Sequence, residues 1–397
     1  MMTALALCAL GAEKIVSNEL KKLALPVVDT GFGRVRFKAD LIGLYTALMS
    51  LRVADRVLLE MACFSAEDFD ALFEGVRSVP WETFIPRGMG LTVAKVRTSR
   101  SRLQGVTSLQ GVVHKAAADR LCKAYQSARL PEHGPTAELR VYIEKDQVSV
   151  LLDLSGDPLF KRGYRSEGGI APLRETTAAA ILLLAQWRRK FPLYDPFCGS
   201  GTIVIEAAMY AWDMAPGLGR RFALAQLLLG DEATERTVRE GLLKKVDFSR
   251  TIRIYGSDAD VRAVSLAQSN MERAYELARG KTPGRGVRQP ARLPWLPEFR
   301  VIPMQETNAP IIAGGAQGSP TGFIITNPPY GKRLGEIESA ETNYRDMEVL
   351  TRRFPGWKLA LITDHPGFES FFGKKADSCK EVTNGAIRSY CYQYDCL

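Results

Sequence analysis

The chain has 397 residues, 46% of them hydrophobic and 24% charged, enough for two or three domains with a core each and too apolar for wholesale disorder. No apolar run approaches the roughly 20 residues of a membrane helix, and the briefly apolar start, closely followed by Glu13 and Lys14, lacks the basic flank of a signal peptide. A net charge of +9 suits a polyanionic partner, and seven scattered cysteines without a CxxC pair, beside three histidines, point to a reduced cytoplasmic protein with neither disulfide framework nor metal site.

In chain order, residues 5–10 form a short apolar strand, and residues 12–23 follow with helical periodicity until Pro26 stops them. Residues 27–37 alternate around Gly31 and Gly33 as a hairpin, 41–49 are helical, and 53–64 return as a strand. This predicts a small α+β unit over residues 1–65, with helices on one face of its sheet. A second unit over 66–164 holds a helix at 68–76, a strand at 90–97 and a long helix at 108–125. Two strands at 137–144 and 147–154 complete it, joined by a tight turn at Asp146. Between positions 95 and 123, Lys95, Arg97, Arg100, Arg102, Lys115, Arg120 and Lys123 are interleaved with serine and threonine. Such a stretch reads either as a phosphate-tracking surface or as the solvated face of a helix and its preceding loop.

From about residue 168 strands alternate with helices, the pattern of a parallel doubly wound α/β sheet. A helix spans 175–190, a strand runs into Asp195, and further helices start at Gly201 and Val261. Strands are predicted at 252–256, 299–303, 322–326 and 359–363, and loops at the Pro/Gly/Arg-rich residues 280–297 and the Gly-rich residues 313–320.

Three of these strands end in motifs that carry chemistry. The first is Asp195-Pro196-Phe197-Cys198-Gly199-Ser200-Gly201-Thr202. Its glycines let backbone N–H groups approach a ligand at a helix N-terminus. No lysine follows the last glycine, which excludes a phosphate-binding loop. The second is Gly256-Ser257-Asp258-Ala259-Asp260. Asp258 stands where a carboxylate accepts both hydroxyls of a ribose, although Asp258 and Asp260 also read as helix caps. The third is Asn327-Pro328-Pro329-Tyr330. The Asn327 side-chain oxygen and the Pro328 carbonyl offer two acceptors for the N–H groups of an exocyclic amine, held in line with an electrophile. Tyr330 adds a ring on which an extruded base can stack. The plain alternative is a proline-rich turn.

In this order the motifs resemble the THUMP-domain class I methyltransferases, which use S-adenosylmethionine to methylate an exocyclic amine of RNA. The likeness is closest to the bacterial branch acting on N2 of a guanine in 23S ribosomal RNA. It extends over residues 148–156, 159–165, 171–176, 195–202, 215–218 with Arg221 and Phe222, and 256–258. It continues through Asn327, Pro328, Pro329 and Tyr330 into Gly331, Arg333, Leu334, Gly335 and Glu336. The resemblance implies a ferredoxin-like unit and a THUMP RNA-binding unit ahead of a Rossmann-like methyltransferase domain over 165–397.

By the same resemblance Asp195, Gly199 and Gly201 cradle the methionine part of the cofactor, with Thr176, Phe197 and Thr202 beside them. Asp258 holds the ribose and Glu306 contacts the adenine. Asn327, Pro328, Pro329 and Tyr330 form the catalytic tetrad. Read as a phosphate-tracking surface, the basic stretch offers Arg97, Arg100, Arg102 and Lys115 as RNA contacts. No metal is implied, and Cys198 reads as packing. The chain departs from the family in two places. Ser378-Cys379-Lys380-Glu381-Val382-Thr383 stands where a basic run with a tyrosine usually precedes the Asn384-Gly385 pair, and the 280–297 segment is long. The same tetrad also suits N2 of a tRNA guanine or N6 of an adenine in RNA or DNA. A rival of another class is an RNA-binding ribosome-assembly factor on a silent methyltransferase fold.

Overall fold

The computed structural model describes residues 1–165, 173–280, 296–310, 322–330, 334–385 and 387–397. The loop expected at 313–320, most of that at 280–297, and Ala171, Pro172, Gly331 and Arg333 lie outside the described residues, as do the side chains of Leu334, Gly335 and Glu336.

The N-terminal half contains β1 (Met2–Cys8), α1 (Glu13–Lys22), β2 (Val27–Gly31), β3 (Arg34–Ala39), α2 (Leu41–Ser50) and β4 (Ala54–Ser65). It continues with α3 (Phe69–Arg77), β5 (Gly90–Ser99), α4 (Val106–Tyr125), β6 (Thr136–Glu144) and β7 (Gln147–Asp153). Asp40 and Asp68 start α2 and α3 as N-caps, each accepting a backbone N–H. Lys145 and Asp146 both take positive φ, as a two-residue hairpin between β6 and β7 requires.

The two units expected in this half share one seven-stranded sheet, ordered β2-β3-β1-β4-β7-β6-β5. The strand β4 makes the join, pairing antiparallel with β1 on one side and β7 on the other. Leu72, Val76, Leu109, Val113 and Ala117 bury α3 and α4 against one face of the sheet. The other face carries a small apolar cluster, Leu5, Leu58 and Leu151, with Leu7 and Tyr142 packed on it. A bulge between Val93 and Lys95 reverses the alternation of β5. Leu91, Val93 and Val96 therefore face the core, while Arg97 stays exposed.

The C-terminal half contains α5 (Glu175–Leu184), β8 (Leu193–Asp195), α6 (Thr202–Ala211), α7 (Glu232–Leu243), β9 (Ile254–Asp258), α8 (Val261–Ala278) and β10 (Glu298–Val301). After these come β11 (Phe323–Thr326), α9 (Leu334–Asp346), α10 (Val349–Arg353), β12 (Lys358–Thr363), α11 (Phe368–Phe372), β13 (Ser378–Asn384) and β14 (Ile387–Tyr394). The sheet order is β10-β9-β8-β11-β12-β14-β13, parallel except for the final hairpin. This is the Rossmann-like α/β sheet that the alternation predicts. Its strand order reverses between β8 and β11, where open α/β sheets bind their ligands beyond the carboxyl ends of the strands.

One expectation needs correction, and one stretch gains a structure that was not expected. The helix expected over 175–190 ends at Leu184. Gln186 turns left-handed at φ 54°, and the Trp187 N–H returns to the Leu182 carbonyl as the indole buries. The stretch from Ser378 to Asn384, read above only for its charge, is a strand.

The halves are locked together. Arg162, in the connection, is buried against Glu206 of α6 at 3.2 Å, and its guanidinium also reaches the carbonyls of Leu159 and Arg52. Gly217 donates to the Met49 carbonyl at 2.8 Å, and a Cβ there would lie 2.7 Å from the Met49 Cα. Leu10 and Thr383 exchange hydrogen bonds between the end of β1 and β13. Gly11, at φ +86°, lies so close that a Cβ would be 2.3 Å from the Glu381 carbonyl oxygen. No helix among the described residues is long and apolar enough to cross a membrane.

A buried ion pair broken on one side leaves an uncompensated charge, at a cost of roughly 3–5 kcal/mol. Glu206→Ala is therefore expected to lower the unfolding free energy, measured by denaturant titration, by that much. A loss below about 1 kcal/mol would show that the pair does not hold the seam.

Candidate active site

The parallel register of β11 with β8, Phe323 beside Leu193 and Ile324 beside Tyr194, brings the chain after Asp195 and the chain after Thr326 into one crevice. Asp195 is 1% exposed. Its Oδ1 accepts the Thr326 hydroxyl at 2.6 Å and the Phe197 N–H at 3.2 Å. Burial raises the Asp195 carboxyl to a pKa of about 7; the two hydrogen bonds oppose the rise and the nearby Asp258 charge adds to it.

The glycine loop is pinned on each side. The Cys198 N–H donates to the Ser257 carbonyl, the Gly201 N–H to the Cys198 carbonyl, and the Asn270 amide to the Ser200 carbonyl. Gly199 and Gly201 have φ of +52° and +84°. Their spaces differ. A Cβ on Gly201 would come within 3.0 Å of the Ala267 Cβ, whereas one on Gly199 would meet nothing within 4 Å. Gly201 thus seats α6 on α8, and Gly199 leaves the ground before the helix open. The Gly199 N–H donates to Asp258 Oδ2 at 2.9 Å and the Asp260 N–H to Asp258 Oδ1 at 3.0 Å. Each carboxylate oxygen keeps further acceptor capacity for a diol. Thr202 opens α6 and accepts from the Arg165 guanidinium, which also binds the Leu173 carbonyl. Phe197 is half-buried against an apolar cluster that includes Tyr194, Met304, Ile324 and Leu361. Cys198 is buried, and burial pushes its thiol up, so it remains a neutral packing group.

Asn327 follows Thr326 directly. Its side-chain oxygen is buried with no hydrogen-bond partner among the described residues, an unusual state for a buried acceptor. Pro328 is buried and Pro329 exposed. Tyr330 is hydrogen-bonded to Asn384 at the tip of the β13–β14 hairpin, and burial raises its phenol. Asn384 in turn accepts the Thr177 hydroxyl at 3.2 Å.

The structure thus gathers Asp195, Phe197, Gly199, Gly201, Thr202, Asp258 and the tetrad at one end of the sheet, and gives the remaining candidates other contacts. The Thr176 hydroxyl donates to Asp55 of the N-terminal sheet at 2.7 Å. Glu306 is exposed, lining a cleft of about 250 Å³ with Tyr194, Tyr255, Arg300 and Asn308. Arg97 and Arg100 line a large groove on the open sheet face. Arg102 pairs with Glu67, and Lys115 is exposed on α4, which covers the opposite face. Sequence reasoning missed Thr326, Asn270 and Asn384. Asn270 was findable, because it interrupts the buried stripe Val264, Ala267, Met271 and Ala274 of α8. Thr326 was too, as the polar end of an apolar strand.

A carboxyl whose folded pKa is raised binds its proton more tightly in the native than in the unfolded chain, so its contribution to stability falls as pH rises from about 4 to about 7. Asp195→Asn keeps both acceptor bonds and cannot ionise. The variant is expected to lose that part of the decline in melting temperature between pH 5 and 8. An unchanged pH profile would contradict the raised pKa.

The family model described as the RMKL-like methyltransferase domain matches residues 162–279 and 302–393. Models of the RlmL ferredoxin-like domain and of the THUMP domain match residues 3–58 and 66–153. YpsC of Bacillus subtilis (strain 168), provisionally named an RNA methyltransferase, is 32% identical over 395 residues, covering 99% of this chain and 95% of that protein. The ribosomal RNA large subunit methyltransferase K/L of Syntrophotalea carbinolica (strain DSM 2380 / NBRC 103641 / GraBd1) is 34% identical over 97% of this chain, which spans only 52% of that longer protein. A crystal structure of SMU.472, described provisionally as a methyltransferase and complexed with SAH, is 32% identical with a TM-score of 0.84, covering 100% of this chain and 98% of that one. The likeness therefore runs from the first strand to the last, and the chain belongs to the RMKL-like methyltransferase family, with a ferredoxin-like and a THUMP domain ahead of the catalytic one.

Proposed function

We propose that this protein transfers a methyl group from S-adenosylmethionine to the exocyclic N2 amine of a guanine in RNA, with large-subunit ribosomal RNA as the substrate. It is a methyltransferase of an RNA-modifying family, and the relative that is a ribosomal RNA methyltransferase matches almost its whole length. The observation that carries the reading is the buried, unpartnered Asn327 oxygen at the carboxyl end of β11, one strand from the glycine loop. A buried acceptor left unpaired costs about 1–3 kcal/mol, and an incoming N–H donor removes that cost.

The residues present fit the cofactor. Gly199 leaves open space beside its N–H, Asp258 has acceptor capacity for a ribose diol, and Asp195 lies beneath the loop. When bound, S-adenosylmethionine supplies an electrophilic methyl on a sulfonium. The protein's part is alignment. The Asn327 side-chain oxygen and the Pro328 carbonyl accept the two amine N–H groups, which directs the nitrogen lone pair out of the base plane. Tyr330, fixed by Asn384, stacks on the extruded base. The N-terminal sheet, with Arg97 and Arg100, grips the RNA.

Asn327→Ala is expected to abolish methyl transfer while the dissociation constant for S-adenosylmethionine stays within about threefold, since the loop that holds the cofactor is untouched. Loss of cofactor binding in step with activity would contradict the assigned role. Nucleoside mass spectrometry of ribosomal RNA, with and without the gene, is expected to show the loss of one N2-methylguanosine. Loss of N6-methyladenosine instead would replace guanine with adenine as acceptor.

A further inference from the structure

The open face of the N-terminal sheet and the β13–β14 hairpin enclose a groove of about 1060 Å³, at the upper limit of a small-molecule site. Its wall is strongly cationic. Lys95 and Arg97 of β5 stand beside Arg140 and Tyr142 of β6, with Arg56 and Arg100 close by, against the two carboxylates of Asp55 and Glu144. Lys95, Arg97 and Arg100 have no ion-pair partner among the described residues. Burial and the charges of Arg97, Arg140 and Arg56 hold the Lys95 ammonium below its ordinary pKa. Arg56 and Arg140 are themselves paired with Asp153 and Glu138, so the uncompensated charge of the wall lies on Lys95, Arg97 and Arg100.

The groove is also apolar in places. Leu7, Tyr142, Phe160 and Phe32 line it, and Phe32, at the β2–β3 turn, is 92% exposed. At its far end the Arg174 guanidinium lies 4.7 Å from the Phe160 ring centroid and 3.5 Å from Asp55. Arg174 also abuts Gly385, where a Cβ would sit 2.9 Å from its Nη2. Gly385 follows Asn384, the partner of Tyr330. The groove thus ends at Thr383 and Gly385, on either side of Asn384.

We propose that this groove carries a single-stranded stretch of the RNA substrate, leading from the extruded base at Tyr330 across the open face of the sheet. The inference rests on the proposed RNA substrate and goes beyond it in naming the strand state and the path. Duplex RNA presents phosphates and riboses, which would leave Leu7, Phe32 and Tyr142 without partners. An unpaired strand satisfies both linings, its phosphates meeting the cations and its bases meeting the rings. Lys115, on the helix-covered face, lies off this path.

The test measures binding of a short single-stranded oligoribonucleotide, and of a duplex of the same sequence, to the full chain with S-adenosylhomocysteine present. The single strand is expected to bind at least about tenfold more tightly than the duplex. Arg97→Glu with Arg100→Glu should weaken it by about tenfold or more and reduce the slope of log affinity against log salt by about 2. Tyr142→Ala should weaken binding with the slope unchanged. The charge-matched Lys244→Glu with Lys245→Glu, outside the groove, should leave the slope unaltered. Affinity for S-adenosylhomocysteine, equal in all variants, reports an intact fold. Equal binding of duplex, or a salt slope lowered as much by the Lys244 and Lys245 reversals as by those at Arg97 and Arg100, would overturn the proposal. Groove-dependent binding of the single strand by a wild-type chain that methylates no RNA would instead sink the guanine assignment and leave the groove standing.

Discussion

Thr326 donates its hydroxyl to Asp195 across the seam between β8 and β11, and the geometry of the site depends on that bond. The two residues lie 131 positions apart and meet only because parallel pairing sets Ile324 beside Tyr194. A slip of one residue in β11 would turn Thr326 to the other face of the sheet and carry the next residue, Asn327, with it. The bond also gives a buried carboxyl a partner while leaving it poised near neutrality. One strand reversal thus sets the glycine loop, the Asp258 carboxylate and the Asn327 side-chain oxygen around a single crevice.

The N-terminal half reaches that crevice through backbone contacts. Leu10 bonds to Thr383, and Gly11 lies against the Glu381 carbonyl, so the end of β1 fixes the β13–β14 hairpin. The tip of that hairpin, Asn384, holds Tyr330 and accepts from Thr177. Docking of the N-terminal sheet and placement of the Tyr330 ring are therefore parts of one connected contact chain. Along Ser378-Cys379-Lys380-Glu381-Val382-Thr383 the hairpin carries one lysine beside one glutamate. Positive charge is concentrated instead across the groove, on β5 and β6, where a bulge turns β5.

Much of the site was legible in the residues because its chemistry demands unusual ones. Glycines in the left-handed region, an aspartate closing an apolar strand, and Asn-Pro-Pro-Tyr after another are rare in ordinary turns, and each stands where expected. Periodicity also located α1, α2, α4 and α8, since each buries a stripe at helical spacing. The helix after Glu175 was overestimated because its apolar run continues into Trp187, which is buried for a different reason, as the end of a left-handed turn. Thr176 carried a cofactor expectation by position in its motif, yet its hydroxyl meets Asp55.

By itself the sequence determined the order of the N-terminal strands and helices, the parallel character of the catalytic sheet and the residue types of the crevice, because these follow from local periodicity and from side-chain chemistry; α7, α9, α10, α11 and the β13–β14 hairpin went unread. Only the tertiary structure decided that the two N-terminal units share one sheet through β4, that a bulge sets Arg97 on the open face, and that Lys115 is on the opposite one. It alone showed that Asn384 supports Tyr330. Pairing between strands and register shifts arise from contacts distant along the chain, and a one-residue bulge reverses every later side chain without leaving a trace in composition.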